Sequence, residues 1–243
     1  MNLSEFKDHL SRIFAQNNLP APTDVRAEKL YALTERMLEV NKHMNLTAIT
    51  DEKAVILKHY ADSLTVSKHI PEKSTVIDIG CGAGFPTLPL AIFREDLHIT
   101  ALDATAKRIE YVKESARLLS LDNVTAISGR AEEFAKAPEY REKFDVATAR
   151  AVANLSVLSE LCLPFVKKNG LFVSMKGAQG DAEMLAASNA IRLCGGELAN
   201  KINFSLVSDG NEPEPRTMIA IKKVSPTPAK YPRHYSQISK KPL

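Results

Sequence analysis

From Thr75 onward, short apolar runs alternate with amphipathic stretches, and that alternation constrains the fold more than any single residue does. Thr75-Val-Ile-Asp-Ile79 reads as a buried strand that runs directly into Gly80-Cys-Gly-Ala-Gly84. Pro86 to Phe93 follows as a helix whose prolines fall in its first turn, where an N–H has no helical partner to lose. Four further strands are predicted at His98–Leu102, Val124–Ile127, Phe144–Ala149 and Leu171–Met175. Amphipathic helices are predicted at Lys107–Leu119, Leu155–Val166 and Ala182–Leu193. Strands joined through helices lie parallel, in a sheet covered on both faces. The last two strands, near Lys201–Val207 and Thr217–Lys223, have only a Gly/Pro/Glu-rich loop between them and therefore predict an antiparallel hairpin.

Residues 1–70 read as a helical extension ahead of this sheet. Leu30, Leu33, Met37, Val40 and Met44 recur at three- and four-residue steps on one helix face. A second helix is predicted over Glu52–His69, with Asp51 as its cap. His59 and Asp62 share one face of it, and packing with hydrogen bonding is the expected role for them rather than metal binding. The sheet domain occupies residues 71–224, and 225–243 form a basic tail. Between Thr217 and Leu243 there is no Asp or Glu, but there are Lys222, Lys223, Lys230, Arg233, Lys240 and Lys241, in a chain whose net charge is only +3. Such an end suits a polyanion partner or simple solvation. Cys81, Cys162 and Cys194 are too far apart for a CxxC pair, so reduced thiols are expected, with no disulfide framework and no zinc site. With 44% hydrophobic residues in 243, the chain can bury one sizeable core. No apolar run is long enough to span a membrane and the first residues lack a signal-peptide pattern, so a soluble, cytoplasmic protein is expected; with no heptad or large apolar surface stripe, a monomer is expected as well.

Ligands of parallel sheets bind beyond the carboxyl ends of the strands. Three candidates lie there. Gly80, Gly82 and Gly84 allow close backbone approach and positive φ, and the helix after them presents N–H groups to an anion. Asp103 ends the second predicted strand, 23 residues after Gly80, where a carboxylate accepts from both ribose hydroxyls. Ala131 and Glu132 follow the third strand, where an adenine would sit. The glycine pattern is GxGxG followed by Phe85-Pro86 rather than GxGxxG, and about seventy helical residues precede the first strand. Both features favour S-adenosylmethionine (SAM) over a nicotinamide dinucleotide. A mostly parallel sheet with an antiparallel C-terminal hairpin resembles the class I SAM-dependent methyltransferase fold, an α/β Rossmann-like architecture.

At the end of the fourth predicted strand stands Thr148-Ala-Arg-Ala-Val152, not the Asn/Asp-Pro-Pro-aromatic turn used for exocyclic amines. Cys162 lies well inside the next helix, where it reads as a buried apolar residue rather than a nucleophile. A ring nitrogen with a free lone pair, such as guanine N7, remains among the acceptors; it needs alignment and no general base, so no catalytic residue is expected. Arg150 is assigned a cofactor or RNA-phosphate role.

Together, Asn45-Leu-Thr47, His59-x-x-Asp62-Ser63, Asp78-Ile-Gly-Cys-Gly-Ala-Gly-Phe-Pro86, Gly129-Arg-Ala-Glu132, Arg150-Ala-Val152, Lys176-Gly177 and the tail from Lys230-Tyr-Pro-Arg233 to Lys241-Pro-Leu243 resemble the RsmG (GidB) family of bacterial small-subunit rRNA methyltransferases. The resemblance covers nearly the whole chain. It implies methyl transfer from SAM to N7 of a guanosine in 16S rRNA, position 527 in standard numbering, with 16S rRNA or the small ribosomal subunit as partner. It implies SAM contacts at Gly80, Phe85, Ala131, Glu132 and Arg150, to which spacing adds Gly82 and Asp103. Lys230, Arg233, Lys240 and Lys241 are the expected RNA-holding cations. The chain departs from the family's usual residues at Cys81, Thr87, Ala149 and Ser236. A small-molecule methyltransferase on the same fold would not need the basic tail, and a nucleotide-sensing regulatory protein would bind cofactor without transferring a methyl group.

Overall fold

The computed structural model describes residues 1–150, 153–178 and 180–243. Ala151 and Val152, which complete the Arg150-Ala-Val152 motif, lie outside the described residues, as does Gln179.

The apolar runs form the strands of one sheet. β1 (Thr75–Ile79), β2 (His98–Asp103), β3 (Val124–Ser128), β4 (Phe144–Arg150) and β5 (Val166–Lys176) run parallel to one another. β7 (Glu214–Lys223) pairs antiparallel with β5 on one side and with β6 (Gly196–Leu206) on the other. The order is β3-β2-β1-β4-β5-β7-β6, so the strand order reverses between β1 and β4. That reversal opens a crevice at their carboxyl ends. This is the class I SAM-dependent methyltransferase sheet expected above.

Successive side chains of each strand go to opposite faces. Val76, Ile99, Ala101, Val146 and Val173 enter a core with the N-terminal helices, α5 (Thr87–Phe93) and α6 (Ala106–Leu118). Ile77, Leu102, Ala147, Phe172 and Ile221 enter a second core. There they meet α8 (Leu155–Cys162), α10 (Ser188–Leu193) and the C-terminal segment. All three cysteines are buried and unpaired. Among the described residues, no helix is long and apolar enough to cross a membrane, and no cluster of three or more His, Cys, Asp or Glu could hold a metal ion.

The N-terminal extension packs on the first core. α1 (Leu3–Gln16) starts with an Asn2–Glu5 capping box, and α2 (Asp24–Met44) starts on Thr23. Leu30, Leu33 and Met37 are fully buried, with Val40 and Met44 packed against the same cluster. The helix predicted over 52–69 is interrupted. Asp51 caps α3 (Glu52–Val55) as expected, but a π-helical turn follows at Ile56–Ala61, then α4 (Asp62–Leu64) and a 3-10 turn at Ser67–His69. A π turn takes carbonyls off the regular ladder and frees them for other donors.

Other boundaries also move. The helix predicted over Leu155–Val166 ends at Cys162, because Pro164 withdraws an N–H and the chain tightens into a 3-10 turn at Leu163–Phe165. β5 therefore begins at Val166, ahead of the predicted Leu171. The helix predicted over Ala182–Leu193 is two, α9 (Gly180–Ala186) and α10.

The tail is not a free arm. It carries α11 (Tyr235–Lys240), with Tyr231 and Ile238 buried in the second core. Lys223 is fully buried and donates to Leu163 O, Val166 O and Thr227 Oγ1, while forming an ion pair with Glu142 at 2.9 Å. Arg141 donates to the carbonyls of Thr227, Pro228 and Tyr231.

Candidate active site

The turn after β1 depends on its glycines. Gly80, Gly82 and Gly84 have φ of 72°, 57° and 84°, a left-handed region costly for residues with a Cβ. A Cβ on Gly84 would also lie 2.6 Å from Leu88 Cδ1. The turn is tied to β2: Gly80 N donates to Leu102 O at 2.7 Å, and Gly82 N donates to Asp103 Oδ2 at 3.1 Å. The other Asp103 oxygen accepts from Thr105 N at 2.8 Å. α7 (Ala131–Phe134) follows β3; Ala131 begins it half-buried, and Glu132 is buried. Among the described residues Glu132 accepts no hydrogen bond, its charged neighbour being Arg130 Nε at 3.7 Å. Gly80, Gly82, Asp103, Ala131 and Glu132 thus follow the carboxyl ends of three adjacent strands.

Under this edge sits Asp78, a fully buried carboxylate that accepts from Thr87 Oγ1 at 2.7 Å and Thr148 Oγ1 at 3.2 Å. Burial pushes it up to about 6, against the pull of those hydrogen bonds. It joins β1, the start of α5 and β4. Thr87, one of the departures noted in the sequence, is fully buried and spends its hydroxyl on this bond.

The second half of the site centres on Arg150, at the end of β4. Its Nη1 donates to Lys58 O in the π turn at 2.8 Å and to Asp62 Oδ2 at 3.2 Å, and its guanidinium lies 5.5 Å from the Phe85 ring centroid. The His59 ring stacks on Phe85 with centroids 4.3 Å apart and planes 7° from parallel. Burial and the Arg150 charge push His59 down to about 3, so the imidazole is neutral. Nδ1 faces Arg150 Nη2 at 3.4 Å and must accept, so Nε2 carries the proton and donates to Thr47 Oγ1 at 3.0 Å. The second Asp62 oxygen accepts from Arg216 Nε at 3.1 Å. Beside these residues a cavity of about 410 Å³ is lined by Asp62, Arg150, Met175, Lys176, Gly177 and Arg216.

The cofactor residues expected from sequence therefore converge on one edge of the sheet, with His59 and Asp62 engaged in packing and hydrogen bonding. The four expected RNA cations do not share one environment. Lys230, Lys240 and Lys241 are exposed. Arg233 is not free: it grips the fully buried Glu160 with Nε at 2.9 Å and Nη2 at 2.6 Å, and its backbone N adds a third bond at 2.8 Å. A guanidinium held bidentately in a buried pair is a structural tie, which corrects its grouping with the three lysines. Thr47 and Asp78 enter from sequence only as members of motifs, with no role, and Arg216 is not named there. Asp78 carried a signal, being the only acid in an otherwise apolar strand; Arg216 carried none.

A profile of the GidB family, described as rRNA small subunit methyltransferase G, matches residues 26–208. The chain belongs to this family. It is 46% identical over 220 residues to the ribosomal RNA small subunit methyltransferase G of Desulforamulus reducens, covering 89% of this chain and 88% of that protein. It is 41% identical over 246 residues to the Bacillus subtilis protein of the same name, covering 100% and 99% of the two. The crystal structure of M. jannaschii TYW2 in complex with AdoMet superposes with a TM-score of 0.52 at 16% identity, covering 68% of this chain and 77% of that one. At that identity the match concerns the fold, which is shared by SAM-dependent methyltransferases such as those of the GidB family.

Proposed function

We propose that the protein transfers the methyl group of SAM to N7 of a guanosine in 16S rRNA, at position 527 in standard numbering, in the cytoplasm. The observation that carries the reading is the half-satisfied acidic edge. A carboxylate has about four acceptor sites, and Asp103 uses two of them on Gly82 N and Thr105 N. The remainder suit the two ribose hydroxyls of an adenosyl group. Glu132 is buried with its acceptor capacity open. Gly82, whose Cβ position has among the described residues only Gly80 O nearby at 3.9 Å, leaves room for a ligand against the turn. Gly80, Gly82, Phe85, Asp103, Ala131, Glu132 and Arg150 would hold the cofactor.

Bound SAM supplies a methyl group activated by its sulfonium. What the chain adds is placement and exclusion of water. Phe85, directly after the glycine turn, is held by the stacked His59 ring and by the Arg150 guanidinium 5.5 Å from its centroid. His59 is neutral with both ring nitrogens engaged, and Asp62 is held between two arginines. Groups so committed suit an acceptor that carries no proton to remove, which supports N7. Lys230, Lys240 and Lys241 hold RNA phosphates in this reading, while Arg233 orders the segment that presents them.

The test is incubation with tritium-labelled SAM and small-subunit particles from a strain lacking this protein, followed by N7-specific chain scission at the labelled nucleotide. Label at a single guanosine that scission releases is expected. Label retained without scission, or label confined to small molecules, overturns the assignment. Asp103→Ala should weaken SAM binding by roughly 10- to 100-fold, the loss of charge-assisted hydrogen bonds worth about 1.5–3 kcal/mol.

A further inference from the structure

The C-terminal segment passes beside the acidic edge of the site at Tyr235. Arg130, which precedes α7, lies with its guanidinium carbon 4.9 Å from the Tyr235 ring centroid and its Nε 3.7 Å from Glu132 Oε1. The second distance exceeds a hydrogen bond, and the Arg130 side chain is half exposed, so the ion pair alone does not fix the guanidinium. The aromatic face supplies the missing restraint through the attraction between a cation and a ring.

The ring itself is well placed to restrain. Tyr235, like Ala131, Phe134 and Tyr140, packs against the second core, and it is two residues from the Arg233–Glu160 tie. It starts α11, whose Ile238 is fully buried. Among the described residues the Tyr235 hydroxyl makes no hydrogen bond, so the ring face is the part in use.

We propose that Tyr235 is a positioning residue of the cofactor site: it holds Arg130, and through Arg130 orients the Glu132 carboxylate for the adenosyl end of the ligand. The assignment rests on the reading of the acidic edge as the SAM site. It gives the C-terminal segment a second task besides RNA contact, as a fixed wall of the cofactor pocket. Positioning of this kind requires that the ring matter and the hydroxyl not matter. It also requires that Tyr235 act only while Arg130 is present.

The experiment is calorimetric titration of the full chain with S-adenosylhomocysteine and with methylthioadenosine, which lacks the amino-acid end. Tyr235→Ala should weaken both ligands about 3- to 20-fold, by the same factor for each. Tyr235→Phe should bind within about twofold of the parent, and Arg130→Gln should reproduce the loss. In the Arg130→Gln background, Tyr235→Ala should add nothing. KM for SAM should rise with kcat at saturation unchanged. If the parent chain binds neither ligand, the cofactor reading itself fails. If the parent binds and either Tyr235→Ala or Arg130→Gln binds equally well, the positioning role is wrong. Full additivity of the two substitutions also overturns it. Should Tyr235→Ala not fold, Arg130→Gln and Tyr235→Phe still decide: loss in the first with retention in the second supports the role, and any other pattern refutes it.

Discussion

The two segments outside the strand–helix alternation join the sheet domain by different physics. The N-terminal helices join through an apolar face, with Leu30, Leu33, Met37 and Tyr60 buried, and only at their end deliver the polar pair His59 and Asp62 to Arg150. The C-terminal segment joins through charge: Lys223 to Glu142, Arg141 to three tail carbonyls, Arg233 to Glu160. A hydrophobic stripe announces itself by its period. A basic run does not say which of its cations face water, and here two of the six are internal ties.

The contrast is open to direct attack. The largest effect is expected from Arg233→Ala, which strands a fully buried carboxylate and should cost about 3–5 kcal/mol in urea unfolding. Pairing it with Glu160→Leu should recover most of that. An unaltered midpoint for the single variant would mean the tail is a loose arm after all.

Next comes the acid limb. His59 has a folded pKa of about 3 against 6.5 unfolded, so between these values the unfolded chain binds more protons. Stability from this group is complete above 6.5 and is lost as pH falls towards 3, with a slope of up to about 1.4 kcal/mol per pH unit. Unfolding curves of the parent and His59→Asn at neutral and acidic pH should diverge, the variant losing less on acidification. Parallel losses would show that the N-terminal contact contributes nothing to the pH dependence.

On the N-terminal side, Tyr60→Phe removes the 2.6 Å bond to Thr34 Oγ1 and the 3.1 Å bond to Leu30 O, and should cost only about 1 kcal/mol because the ring stays packed. A cost rivalling that of Arg233→Ala would erase the distinction between the two segments. Smallest in stability is the triple change of Lys230, Lys240 and Lys241 to Ala, expected within about 0.5 kcal/mol of the parent. It should nonetheless flatten the salt dependence of RNA binding by roughly 0.7–0.9 in log–log slope for each phosphate contact removed. RNA binding with an unchanged slope would move the RNA surface elsewhere.

The sheet was legible because period-two and period-3.6 patterns are local, and β1 to β4 fall within a residue or two of the apolar runs that announce them. The early start of β5 was not, because Val166 follows Pro164 and reads as a helix end until the proline's missing N–H is weighed against the ladder. In the site, the glycine turn, Asp103 and Glu132 stand out through their place after strands, whereas Phe85 and Arg150 came from family resemblance. Arg216 meets Asp62 across 154 residues and Arg233 meets Glu160 across 73. Such pairs have no spacing rule, since only the completed tertiary fold brings them into register.

The placement of β7 between β5 and β6 bears on how this chain emerges from a ribosome. The outer edge of β5 waits for Glu214–Lys223, and among the described residues β6 pairs with that same strand alone. Translation must therefore run past Lys223 before the sheet can close, and the Leu171–Lys176 edge of β5 stays available to chaperones or to neighbouring nascent chains until it does.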